Sequence, residues 1–164
     1  MRNSRRIVTF SAALLWATAF GVGPPAANET QVLVLVVSRE FPAGDISLAT
    51  LKTAFRGRIA HVGGKHIIPI NHAVGSPLRV EFDRSVLGLE PAAVGRFWVD
   101  QKIRDEGSPP KNVPTAELAV RVVAAIPTAI TYARPTLLNP RVKALTVDGK
   151  GPGQPGYALA PPSP

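Results

Sequence analysis

Residues 31 to 37 read QVLVLVV, Gln31 to Val37, and Ser38-Arg39 end the run. Six apolar residues follow one another, four of them valine. A strand with one wet face would alternate apolar and polar residues; this one has no polar position to turn outward. It therefore reads as a strand covered on both faces, the kind found in a parallel or mixed sheet flanked by helices. That reading predicts an α/β domain before any other element is considered.

The segments downstream agree. Asp45-Ile46-Ser47 precedes Leu48, Leu51, Ala54 and Phe55 at helical spacing, with Ser47 or Asp45 as N-cap and Gly57 as stop. After a turn from His61 to Lys65, Ile67 to Asn71 forms a second strand. Gly75-Ser76-Pro77 opens a helix with Leu78, Phe82 and Val86, closed by Gly88. Pro91 starts another helix, in which Val94, Phe97 and Trp98 are expected in the core. Gly107 to Pro114 reads as a loop. Thr115 caps a helix carrying Leu118, Val122 and Ile126, and Pro127 ends it. Ala129 to Tyr132 and Val142 to Val147 complete the strands. The alternation predicts a layered α/β/α domain around a central sheet. From Gly149 on, nine of 16 residues are Gly or Pro, which predicts a disordered tail over 149–164.

Upstream, residues 1–27 have the layout of a secretory signal peptide: Arg2, Arg5 and Arg6, then an apolar stretch from Ile7 to Phe20, then Gly21, Gly23, Pro24 and Pro25 before Ala26-Ala27. The apolar stretch is short for a bilayer span. The expectation is a cleaved signal, a domain over 28–148 in a periplasmic or secreted location, and membrane contact only through the signal segment before cleavage.

Composition narrows the function. The 164 residues include no cysteine, which removes disulfides, thiolate metal sites and cysteine nucleophiles. The net charge is +8, of which Arg2, Arg5 and Arg6 supply three; 16 basic and 11 acidic side chains remain from Asn28 onward. Mild positive charge without a basic run suits an anionic partner and only weakly supports nucleic acid, which is not expected as a partner. No Ser-His-Asp arrangement has a recognisable spacing, and Glu81 and Asp83 read as solvated helix charges, so no enzyme is expected. Neither is any cofactor. His66 and His72 on one strand would lie about 20 Å apart, too far to share an ion, and no metal site is expected from them.

Three stretches together resemble the substrate-binding proteins of phosphate-type ABC importers, especially short single-unit relatives. They are Ile46-Ser47-Leu48 through Phe55-Arg56-Gly57-Arg58-Ile59; Ile68-Pro69-Ile70-Asn71 with Gly75-Ser76-Pro77-Leu78-Arg79, Phe82 and Val86-Leu87-Gly88; and Val122 to Tyr132, VVAAIPTAITY. The resemblance covers about Val34 to Val147. It implies a periplasmic binding protein-like type II fold reduced to about one lobe, with a small anion such as phosphate as ligand and an ABC permease or envelope protein as partner. The sequence departs from the family pattern at His72, where an arginine is usual, at Pro77-Leu78 in place of Gly-Thr, and at Thr128 and Thr131 in place of glycines.

The Gly-Ser loop also has a rationale of its own. A helix N-terminus offers unpaired amides and partial positive charge to an oxyanion. Gly75 would let the backbone approach, Ser76 would donate its hydroxyl, Leu78 and Arg79 would supply amides, and Arg79 a charged fork. His72, if protonated, would strengthen binding toward acid pH. Ser38 and Arg39, at the carboxyl end of the first strand, would face the same site. The same residues also fit plainer roles: Ser76 as a helix cap, His72 as a surface histidine, Ser38-Arg39 as a strand end. The leading expectation is a solute-binding-type protein; its alternative is a ligand-free interaction or sensor module that retains the fold.

Overall fold

The computed structural model describes residues 32–160; the expected signal segment and the last four residues lie outside them. Strand β1 (Val34–Ser38) is buried along its whole length. Its odd residues Leu35 and Val37 enter the main core with Leu51, Phe55, Phe82 and Tyr132. Its even residues Val34 and Val36 pack on the other side with Val120 and Val142. The unbroken apolar run thus has the cause the sequence suggests: each face meets its own helix layer.

The remaining elements are β2 (Asp45–Ile46), α1 (Leu48–Phe55), a hairpin of β3 (His61–Val62) and β4 (Lys65–His66), β5 (Ile68–His72), α2 (Pro77–Phe82) continuing into a π-turn over Asp83–Leu87, α3 (Pro91–Ile103), β6 (Lys111–Val113), α4 (Ala116–Ala125), β7 (Ala129–Ala133), a 3-10 turn at Pro135–Leu137 and β8 (Val142–Val147). Six strands form one sheet in the order β2-β8-β1-β7-β5-β6. β5 runs parallel to β6 and β7, and β2 to β8, whereas β1 is antiparallel to both its neighbours. Helices α1 and α2 cover one face; α4 covers the other, with Ala119 and Val123 against Ile70 and Ala129. The architecture is α/β, layered α/β/α.

The caps expected of α1 and α4 are present, although α4 buries Ala119, Val120 and Val123 where Leu118, Val122 and Ile126 are expected. The Ser47 side chain accepts from the Thr50 amide and caps α1, while Asp148, a hundred residues away, accepts from the Leu48 amide at 3.1 Å. Thr115 caps α4 through the Leu118 amide at 3.2 Å. Gly88 ends the helical run with φ +67°.

Three expectations need correction. The loop at Gly107–Pro114 contains β6, which pairs with β5 as an edge strand. Its three residues are too few to show a period. Helix α3 buries only Val94; Phe97 and Trp98 are half-buried, and Val99 and Ile103 are exposed. The tail is ordered through Ala160 by burial of Tyr157 and Leu159 in the main core. Its glycines and prolines build turns, and two apolar side chains suffice to anchor them.

Candidate functional site

The parallel strands β5, β6 and β7 end together at one edge of the sheet, where His72, Val113 and Ala133 lie. Helix α2 starts just beyond β5. The Gly75-Ser76 loop therefore sits at the sheet edge where open α/β sheets place their ligands.

Its side chains are nevertheless engaged with one another. The Arg79 guanidinium is buried and donates through Nε to Asp83 Oδ2 at 2.7 Å, and through Nη1 to the His72 carbonyl and to Asn112 Oδ1, both at 3.3 Å. Asp83 is 2% exposed, so the expectation of a solvated charge is overturned. Residues i and i+4 share a helix face, and here that face points inward. Burial pushes the Asp83 carboxyl above the usual carboxylate range, opposed by the guanidinium beside it. A carboxylate from the chain thus occupies the Nε side of the Arg79 guanidinium.

His72 is also internal. Its ring meets Tyr132 edge-on at 4.6 Å between centroids, and Nε2 donates to the Tyr132 carbonyl at 2.7 Å. A carbonyl only accepts, so Nε2 carries the proton. Burial holds the imidazole below its ordinary pKa, with Arg79 adding to the effect and the Tyr132 carbonyl opposing it. Burial therefore disfavours the cationic form expected to help an anion, and the ring packs against Tyr132. Tyr132, stacked on Phe82 with centroids 3.9 Å apart, donates its hydroxyl to Asn71 Oδ1, which also accepts the His72 amide at 3.0 Å. Burial raises the Tyr132 hydroxyl well above its ordinary pKa.

The loop itself differs from the expected cradle. Gly75 has φ +80°, a conformation that favours glycine, and no protein atom lies where a Cβ would be. The Ser76 hydroxyl makes no cap; its Oγ is buried without a partner among the described residues, as are Asn71 Nδ2 and Thr131 Oγ1. The first helical amide with a carbonyl partner is that of Val80, which bonds Ser76. Leu78 points its side chain toward the main core. At the rim, Arg134 grips both oxygens of Glu81, at 3.1 and 2.6 Å. Arg79 is thus matched by Asp83 of the π-turn, and Arg134 by Glu81 of α2.

Ser38 and Arg39 are not part of this edge. Because β1 is antiparallel to β7, Val34 pairs with Ala133 and Val37 with Ile130, which places Ser38 at the opposite end of the sheet, about 13 Å away along the strand. There the Arg39 Nε donates to the Pro140 carbonyl at 3.2 Å. The parallel strands bring their carboxyl ends to the Ser76 loop, and the strand that runs against them does not.

Sequence reading misses Asp83, Asn71, Asn112, Tyr132 and the Glu81–Arg134 pair. Only the i,i+4 spacing of Arg79 and Asp83 is visible in the sequence; Asn112 and Tyr132 arrive through tertiary pairing. The described residues also form concavities, one of them against α2 itself, lined by Pro77, Val80, Glu81 and Arg84, and two of them lined by no residue of α2 or the Ser76 loop. One, of about 400 Å3, is apolar and lined by Val32, Val34, Pro135, Leu138 and Ala144. The other, of about 320 Å3, lies between α1 and α3 and is lined by Lys52, Arg56, Arg58, Phe97 and Gln101. Arg58 is paired with Glu106, while Lys52 has no ion-pair partner among the described residues.

No family model matches the sequence, and no curated protein matches it. Solved structures do match the fold. An ABC-type phosphate transport receptor from Vibrio cholerae superposes with a TM-score of 0.63 at 18% identity, over 80% of this chain and 54% of the receptor. A putative phosphate ABC transporter substrate-binding protein with bound phosphate from Clostridium perfringens gives 0.58 at 19% identity, over 74% and 46%. PstS from Borrelia burgdorferi gives 0.56 at 18%, over 74% and 49%. The chain spans about half the length of these proteins. Its fold is that of about half of a phosphate-type ABC transporter substrate-binding protein.

Proposed function

We propose that this chain is an exported component of the substrate-binding-protein type that acts through protein contacts and does not itself capture free phosphate. One observation carries the reading: the buried Arg79–Asp83 pair at 2.7 Å. A second anion beside Asp83 would be repelled across a low-dielectric site, and displacing Asp83 would strand a buried carboxylate. The groove between α1 and α3, with Lys52 and Arg56 on its wall beside the Arg58–Glu106 pair, offers positive charge to an acidic surface of a permease or other envelope protein. Export to a periplasmic or secreted location rests on the composition of residues 1–27; no helix among the described residues is long and apolar enough to cross a membrane.

A small-anion receptor is the second reading. The unpartnered Ser76 Oγ beside the start of α2 favours it. A thermal-shift and calorimetric titration of the purified chain with inorganic phosphate, sulfate and dicarboxylates separates the two, because a ligand that prefers the native state raises its stability. No saturable shift is expected. A saturable rise with phosphate that disappears in Ser76→Ala would overturn the first reading and establish the second.

A further inference from the structure

The hairpin before β5 brings together two histidines that sequence spacing alone does not pair. Gly63 and Gly64, at φ +57° and +74°, form the two-residue turn between β3 and β4. Positive φ at both central residues is the type I′ arrangement, which matches the twist of the flanking strands. Val62 then faces Lys65 and His61 faces His66. The next bond outward, from the Ile67 amide to the Ala60 carbonyl at 3.0 Å, leaves His61 and His66 as a non-hydrogen-bonded pair. Opposed side chains approach most closely at such pairs.

The two imidazole centroids are 5.8 Å apart with the ring planes inclined at 54°. An ion held by two imidazoles at about 2.0–2.1 Å per bond, with a tetrahedral angle between them, places the centroids roughly 5–5.5 Å apart. A small side-chain rotation in either residue covers the difference, and both are exposed. The backbone beneath them is fixed: Ala60 and Ile67 are buried on either side, and Gly63 lies close to Pro42. Lys65, one position along the strand from His66, projects from the opposite face.

We propose that His61 and His66 form a surface site for a borderline divalent transition ion, Zn2+, Cu2+ or Ni2+, which imidazole nitrogens suit better than they do Mg2+ or Ca2+. Among the described residues no third His, Asp or Glu joins them, so water completes the coordination sphere and the ion keeps open positions. The site lies at the start of β5, at the opposite end of the strand from the Ser76 loop, and is independent of any anion bound there.

The test uses the full chain without a polyhistidine tag, stripped of metal and titrated with ZnCl2 against a chromophoric chelator, with thermal unfolding followed in parallel. One zinc per chain and a higher Tm are expected, both lost in His61→Asn and equally in His66→Asn. Mg2+ at the same concentration is expected to produce neither. Because both residues are exposed, the variants should keep the wild-type Tm in metal-free buffer, which separates loss of a ligand from loss of folding. Absence of zinc binding overturns the proposal. So does a zinc stoichiometry unchanged by either substitution, which would place the ion elsewhere on the chain.

Discussion

Arg79 and Asp83 set the character of the candidate site. A buried pair contributes little net stability relative to apolar packing, yet breaking it by removing one partner is costly. Asp83→Asn leaves the guanidinium uncompensated and is expected to destabilise the chain by about 3 kcal/mol, read from the midpoint of urea unfolding. An unchanged midpoint would mean that the guanidinium finds another partner or water. His72 supplies a pH dependence. Its native pKa is depressed by burial, whereas the unfolded chain takes up a proton near the ordinary value of about 6.5. The unfolded state then binds more protons as pH falls below that value. Stability is therefore full above the ordinary histidine pKa and declines as pH drops toward the native one. Urea unfolding at pH 7.5 and pH 5.5 is expected to show this loss, and His72→Asn to reduce it.

Gly57 shows how one residue can answer to two elements. Its φ of +79° ends α1, the role that its place after a helix predicts. A Cβ at that position would also lie 2.2 Å from the Ser108 carbonyl oxygen, so α1 and the loop after α3 meet backbone to backbone. Gly88 has a similar φ, +67°, and open space around it. Gly88→Ala is expected to cost about 1–2 kcal/mol, the penalty of the left-handed conformation alone. Gly57→Ala adds a clash with fixed backbone and should cost clearly more. Equal unfolding midpoints for the two variants would contradict the close approach. The same logic explains α3. Its Phe97 and Trp98 carry the apolar character of core residues, but the described residues only half-bury them, and periodicity cannot reveal whether a partner layer exists.

At the scale of the whole molecule, the main core includes side chains from the C-terminal segment. Tyr157 and Leu159 reach back to a cluster built from β1, α1 and β8, more than a hundred residues away from its first members. Leu159→Ala is expected to destabilise the chain by about 2–5 kcal/mol, and removal of residues 149–164 by more, both measured by chemical denaturation. A tail deletion with wild-type stability would restore the view of 149–164 as a disordered appendage. Sheet order acts at the same scale. A single antiparallel strand among parallel ones sends Ser38 and Arg39 to the far edge and brings the ends of β5, β6 and β7 together at the near one. Only that second group adjoins the Ser76 loop.

Local chemistry was enough to establish the class of fold and most of its elements. The unbroken run at β1, the caps Ser47 and Thr115 and the stop at Gly88 act over a few residues, where side-chain size, hydroxyl placement and φ preference decide the outcome. The condition of the candidate site was decided by tertiary structure. Whether Arg79 meets solvent or Asp83, whether His72 is charged or neutral, and which histidine faces His66 depend on strand direction, register and burial. Those are properties of residues distant in the chain brought into contact, and no local period encodes them.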